Sequence, residues 1–379
     1  MPAGTRNEFD VAVIGGGLVG ATIAWGLARR GCKVAMLDEG DVAYRASRGN
    51  FALVWVQSKG TGFTEYALWT RYSAEVWPQL AGALRDDTGL DVCLRQSGGL
   101  HLLLSEREVE SRAHAIKRLH NQPGMVPFDY QMLDRAAVAR MLPHVGPEVA
   151  GASFCPLDGH VNALRLLRAL HVAFAKHGGC YFPERAVERI EPCGGEFRLH
   201  AGGGNDVIAA QKIVLAAGLG NARLGPMVGM NVPVRPQRGQ IMVTEKTAPF
   251  MPYVVHTVRQ TDEGSVMIAD SVEEAGFDAS VGSEVLAVEA DRAIKMFPHL
   301  AKLNVVRCWA ALRVMPKDGI PIYDQSRSHP GAYVAACHSG VTLAGAHALA
   351  LPPWIDTGVA PNETFGAFAT RRFDVPAIN

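Results

Sequence analysis

The chain has 379 residues, 48% of them apolar and 20% charged, enough to bury a sizeable core and to form two or three domains. Lys plus Arg balances Asp plus Glu at 37 each, so the formal net charge is zero. That excludes whole-molecule electrostatic attraction to nucleic acid or to an anionic membrane. The seven cysteines, at 32, 93, 155, 180, 193, 308 and 337, form no CxxC pair for zinc or an iron–sulfur cluster, so no metal site is expected. Their sparse use fits a reducing, cytoplasmic setting. Residues 11–28 and 328–355 carry no Asp, Glu, Lys or Arg. Glycine clusters in the first, and His, Gly and Pro in the second, argue against membrane spans.

In chain order, residues 9–14 (FDVAVI) suit a buried parallel strand. A glycine turn, a helix over 19–30, a stop at Gly31 and a second strand over 33–37 follow. Residues 64–120 read as largely helical, through SAEVWPQLAGALRDD and REVESRAHAIKRLH, with a strand in LHLLL after Gly98-Gly99. NALRLLRALHVAFAK is an amphipathic helix with Asn162 as its N-cap. From there to about residue 310 the pattern is mostly β. Residues 332–336 form a strand, and a small-residue helix is predicted from about Gly340.

The order implies an α/β fold: a Rossmann-like dinucleotide domain assembled from residues 1–60, 150–235 and 310–379. A second, α+β domain on a mostly antiparallel sheet would come from 61–149 and 236–309.

Gly15-Gly16-Gly17-Leu18-Val19-Gly20 fits GxGxxG between a strand and a helix. Gly15 allows the tight turn, Gly17 lets backbone approach a pyrophosphate, and Gly20 lets the helix pack on the strand. Asp38 follows Gly20 by eighteen residues, where a carboxylate can accept from a ribose diol. That carboxylate repels a 2′-phosphate but leaves NAD and FAD equally open. Further candidate contacts are the small-residue end of IVLAAG (Ala217, Gly218) and the turn His338-Ser339-Gly340-Val341-Thr342-Leu343. Amides there could face the N1–C2=O edge of a reduced flavin.

At this point the chain resembles the D-amino-acid oxidase family of FAD enzymes, which includes glycine oxidase and sarcosine oxidase. The resemblance runs from the fingerprint to Arg371-Arg372-Phe373. Trp309-Ala310-Ala311-Leu312-Arg313 with Asp318-Gly319-Ile320-Pro321 is similar to the segment that positions a carboxylate-binding arginine. The run ASRGNFALVW from Ala46 to Trp55 is similar to the flavin-contacting loop of the β subunits of opine oxidases, which are relatives of a hydrogen cyanide synthase subunit. Asp158-Gly159-His160-Val161-Asn162 and CHSGVTL (337–343) point the same way.

The resemblance implies FAD bound by Gly15, Gly17, Gly20, Asp38, the loop residues Ala46, Ser47, Arg48 and Asn50, and Val187 near the adenine. It adds Ala217, Gly218, Gly340, Val341, Thr342 and Leu343. It implies Arg313 as the substrate-carboxylate clamp, with either His256 or Tyr253 as a further substrate contact. The segment 337–341 is shorter than its glycine oxidase counterpart and lacks the basic residue found there. A histidine that bonds flavin covalently in some relatives aligns with Val161, so a non-covalent flavin is expected.

The implied activity is oxidation of an amino-acid-like amine, an opine or other N-substituted amino acid, by hydride transfer. The chain would be the β subunit beside a larger α subunit and a small iron–sulfur γ subunit, with FMN as a second flavin at a subunit boundary. A self-sufficient peroxide-forming oxidase, an NAD(P)H-dependent monooxygenase and a non-catalytic electron-relay subunit are the alternatives.

Overall fold

A computed structural model describes residues 8–40, 46–202 and 206–374. FDVAVI lies in β1 (Glu8–Ile14), followed by α1 (Leu18–Arg29) and β2 (Val34–Leu37). Side chains alternate across a strand with period two, so β1 feeds two cores at once. Val11 and Val13 join Trp25 and Leu27 beneath α1, while Ala12 and Ile14 join Ile208 and Leu215 on the other face.

β1 pairs in parallel with β2 and with strand Asp206–Leu215, which pairs in turn with Ala332–Ala336. The sheet has eight strands drawn from separated parts of the sequence. An α/β fold with a dinucleotide half assembled from distant segments is therefore what the chain forms. The helix after residue 162 runs Ala163–Lys176, and Asn162 caps it by accepting from Arg165 N at 3.1 Å.

The remaining sheets are smaller. One is a four-stranded antiparallel sheet built on the long ribbon of Val234–Lys246 against Val305–Pro316. Another joins Val254–Val255, Gly99–Leu103, Gly151–Cys155 and Gln131–Asp134.

Three boundaries differ from the sequence expectation. Helix Thr64–Thr88, expected in the substrate half, buries Tyr66, Trp69, Trp77 and Leu80 in the same core as α1. Strand Gly151–Cys155 belongs to the smaller sheet rather than to the dinucleotide half. The expected divisions at 235 and 310 fall inside the paired ribbon, because a continuous ladder gives no local compositional break.

Pro78 sits inside the long helix and removes the N–H that Ala74 O would otherwise receive. Gln96 Nε2 donates to that carbonyl at 2.9 Å instead. The helix also anchors the C-terminal turn: Trp77 Nε1 donates to Val341 O at 3.0 Å, and Ser73 Oγ donates to Thr342 O at 2.8 Å.

The predicted helix at Gly340 starts instead at Ala344, running Ala344–Leu349. Residues 339–343 form tight turns in which Leu343 N donates to Ser339 O and Ala344 N to Val341 O. Those carbonyls are thus occupied before a longer helix can form.

Trp77 is fully buried. Trp77→Ala is expected to cost about 3–5 kcal/mol in denaturant unfolding, the range for removing a buried large aromatic. Trp77→Phe should cost about 1–3 kcal/mol by leaving the Val341 carbonyl unpaired. Equal stability of Trp77→Phe and the parent would show that the hydrogen bond contributes nothing.

Candidate active site

The glycine turn is shaped by close approaches. Gly15 has φ +113°, and a Cβ there would overlap Ala216 O. A Cβ on Gly20 would overlap Gly15 O, and one on Gly17 would lie 2.8 Å from Ser47 Oγ. α1 begins with no acidic residue in its first turn, leaving its positive end open to an anion.

Ser47 Oγ accepts from Leu18 N at 2.9 Å, bringing the 46–50 loop onto the helix start. Asp38 Oδ2 accepts from Gly16 N at 2.7 Å and Oδ1 from Gly40 N at 3.0 Å. Each oxygen retains acceptor capacity, so this carboxylate both closes the turn and can still meet a ribose diol. His171 Nε2 lies 2.8 Å from Gly16 O, a contact not foreseen from the sequence. A narrow glycine cradle, an open helix N-terminus and an acid at the end of β2 form a donor and acceptor set that fits the ADP part of a dinucleotide.

Val187 is buried in the core beside the main sheet, and its carbonyl accepts from Arg223 Nη2 at 2.8 Å. Ala217 and Gly218 follow the strand that abuts Gly15, with Ala217 N donating to Asn221 Oδ1 at 2.9 Å. Val161, where a covalent attachment was considered, is buried, and its amide donates to Ala52 O at 3.1 Å.

Beyond this cradle lies a cavity of about 410 Å³. Ala46, Asn50, Val341 and Thr342 line it on one side, and Arg313 and His256 on another. The Thr342 hydroxyl donates to Leu53 O at 3.0 Å and accepts from Trp55 N at 3.3 Å. This joins the N-terminal loop to the C-terminal turn. Asn50 Oδ1 accepts from Ala52 N at 2.6 Å and tightens the loop.

The ribbon supplies the opposite wall. Gln237 pairs with Arg313, Gly239 with Ala311 and Ile241 with Trp309. The period of two brings Gln237, Gly239, Ile241, Ala311, Arg313 and Met315 to the cavity. Arg313 Nη1 donates to Arg238 O at 3.1 Å and Nη2 to Ser271 O at 3.0 Å. Its other donors remain for a ligand, and burial lowers its pKa from the ordinary arginine value.

Ser271 is held in turn by Glu289, whose Oε1 accepts from Asp270 N at 2.7 Å and Ser271 N at 2.6 Å. Gly239 makes this placement of Arg313 feasible, since a Cβ there would overlap the guanidinium.

His256 stacks on His101 with ring centroids 4.6 Å apart and lies 5.1 Å from the Trp55 ring. Burial, followed by the charges of Lys59 and Arg112, pushes it down to about 4, so it presents a neutral ring. Tyr253 is not brought to this cavity. It packs edge-on against Phe154, centroids 5.7 Å apart, beside the smaller sheet's core. The choice left open between these two residues therefore falls to His256.

Cys337 is buried, and desolvation pushes its thiol up to about 12, the state of an inert packing residue. Among the described residues no cluster of His, Cys, Asp or Glu could hold a metal ion.

Lys59 was missed by sequence reasoning. Its ammonium reaches the same cavity and lies 3.1 Å from His338 Nε2. The basic residue absent from segment 337–341 is thus replaced from the opposite end of the chain. Burial and the Arg313 charge lower Lys59 to about 8. Its sequence signal was a lone lysine at the end of an otherwise apolar run, FALVWVQSK.

Gly239→Ala should displace the Arg313 guanidinium, because the overlapping atoms are the far end of a flexible side chain. Affinity for a carboxylate probe is expected to fall about tenfold or more, while stability stays within about 1 kcal/mol. Unchanged carboxylate binding would show that Arg313 needs no such seat.

The family model described as "DAO: FAD dependent oxidoreductase" matches residues 10–351. The opine oxidase β subunit of Agrobacterium tumefaciens (strain Ach5) is 47% identical over 366 residues, covering 97% of this chain and 98% of that protein. Glycine oxidase of Geobacillus kaustophilus (strain HTA426) is 28% identical, covering 89% of this chain and 90% of its own length. A crystal structure of glycine oxidase from Geobacillus kaustophilus aligns with a TM-score of 0.87 at 26% identity, covering 99% of this chain and 100% of the other. The cradle, the paired loops and the arginine-lined cavity are thus those of a chain that belongs to the DAO family of FAD-dependent oxidoreductases.

Proposed function

We propose that this protein oxidises an amino-acid-like amine, an opine or other N-substituted amino acid, by hydride transfer, as the catalytic β subunit of a hetero-oligomeric dehydrogenase. The observation that carries this reading is Arg313: its guanidinium is fixed by two backbone carbonyls and faces the cavity without an ion-pair partner among the described residues. A planar fork held this way captures a carboxylate with little loss of side-chain freedom.

Carboxylate capture orients the adjacent Cα–H and its nitrogen within the cavity. Bound FAD supplies the two-electron acceptor for the hydride from that carbon. His256, neutral and stacked, forms an apolar wall there and contributes no charge. The resulting imine adds water and separates into an oxo acid and an amine. No protein base is required when the amine binds neutral.

The β-subunit role is supported by the likeness to a protein named as one subunit of an opine oxidase. A larger α subunit, a small iron–sulfur γ subunit and an FMN at a boundary belong to the same proposal. Cytoplasmic placement agrees with the absence, among the described residues, of any helix long and apolar enough to cross a membrane. The second reading, a self-sufficient oxidase, draws support from the glycine oxidase likeness over nearly the whole fold.

Anaerobic mixing of the FAD-loaded protein with N-carboxyalkyl amino acids should bleach the visible flavin absorbance. Peroxide release on admitting air would favour the oxidase, and bleaching by NADPH alone would contradict amine oxidation. Arg313→Ala should raise the amine concentration needed for half-maximal bleaching by about 100-fold while FAD is retained. Loss of FAD instead would refute its assigned role. Gly17→Val should purify with little or no FAD, because its side chain enters the cradle beside Ser47; full flavin occupancy would contradict that geometry.

A further inference from the structure

One carboxylate-binding arginine would suffice for a simple amino acid, yet the cavity holds a second cation. Lys59 enters from the loop after Leu53–Val54, whereas Arg313 enters from the ribbon. The hydrogen-bond partner of the ammonium among the described residues is His338 Nε2. That imidazole is held neutral by burial and by the charges of Lys59 and Arg313. Burying an ammonium beside another cation, without a carboxylate to pair it, is costly unless a ligand supplies the missing charge.

The placement is built rather than incidental. Lys59 N donates to Val56 O at 3.0 Å, closing the turn that aims the side chain. Val56 N and Gln57 Nε2 both donate to the fully buried Asp158 carboxylate, at 2.5 and 2.7 Å. Gln57 Oε1 accepts from Arg112 Nη2 at 2.9 Å, and Arg112 Nη1 donates to Ser58 Oγ at 3.1 Å. Asp158 is therefore occupied in holding the loop. Of the charged side chains among the described lining residues, two are cations, Lys59 and Arg313, and one is a carboxylate, Asp270. Their net charge complements a ligand carrying two carboxylates and one ammonium.

We propose that Lys59 and Arg313 form a two-point anion clamp. Arg313 takes the carboxylate beside the oxidised carbon, and Lys59 takes a second carboxylate carried by the substituent on nitrogen. The site then selects dicarboxylic secondary amines over monocarboxylic ones. This deepens, and rests on, the amine-oxidation reading above.

The test uses the FAD-loaded protein and two non-oxidisable thioethers, thiodiacetate and methylthioacetate, which differ by one carboxylate. Binding is read from the visible flavin spectrum, which also verifies FAD retention in each variant. The parent should prefer thiodiacetate about tenfold or more, as expected for one added charge-assisted hydrogen bond. Lys59→Met should abolish that preference by weakening thiodiacetate alone, and Lys59→Arg should keep it. A preference that survives in Lys59→Met overturns the clamp, as does equal binding of both thioethers by the parent.

Sulfite addition to the flavin gives an independent readout of positive charge beside the ring. Weakened sulfite addition in Lys59→Met with the dicarboxylate preference intact would assign the ammonium to the flavin and overturn the clamp. If neither thioether perturbs the parent's spectrum, the carboxylate-binding reading falls and the clamp with it. Equal binding of both removes the clamp alone.

Discussion

The seating of Arg313 over Gly239 is the constraint on which the candidate site depends. A guanidinium can lie across a strand only where the neighbouring position lacks a side chain. The ladder then sets which carbonyl receives it, Arg238 O from the adjoining strand. Glu289 completes the arrangement from a separate helix by gripping the amides of Asp270 and Ser271, so Ser271 O is in place for the other nitrogen. Burial raises the Glu289 carboxyl, and its Oε2 lacks a partner. Polar cost is thus concentrated behind the arginine rather than in front of it, where a ligand would sit.

The opposite wall follows a different logic. It is made from two short, irregular segments distant in sequence, joined by the Thr342 hydroxyl and fastened to helix Thr64–Thr88 through Ser73 and Trp77. Neither segment has enough regular backbone pairing to hold itself. The buried Asp158 does for the N-terminal loop what Trp77 does for the C-terminal turn. Burial pushes Asp158 up to about 7, while the donors from Val56 and Gln57 act to lower it. A carboxyl so poised is retained because the loop geometry requires an acceptor at that point.

The parts legible in the sequence were those whose signal is local. FDVAVI, the glycine turn, α1 and the acid after β2 follow from short-range periodicity and the steric demands of glycine, and the Asn162 cap from its place before an amphipathic run. Arg313 was reached through resemblance over a longer segment. The structure adds what residue order cannot carry. Tyr253 and His256 are three positions apart, yet different packing separates Tyr253, against Phe154, from His256, in the cavity. Lys59 looked like the end of an apolar run until the fold brought it to His338. The domain limits failed where the ribbon crosses them, because hydrogen-bond ladders leave no compositional seam. The helix expected at Gly340 failed because turn bonds outcompete it.

The Thr342–Leu53 contact spans nearly the whole polypeptide, with 289 positions between donor and acceptor. During vectorial synthesis the glycine cradle can leave the ribosome early, but the wall facing it cannot close until the last tenth of the chain has emerged. Strand Ala332–Ala336, which borders the central sheet, arrives equally late. Completion of the nucleotide pocket is therefore a late event in biogenesis, and a nascent chain stalled short of the final turns would present an open, half-walled groove to its surroundings.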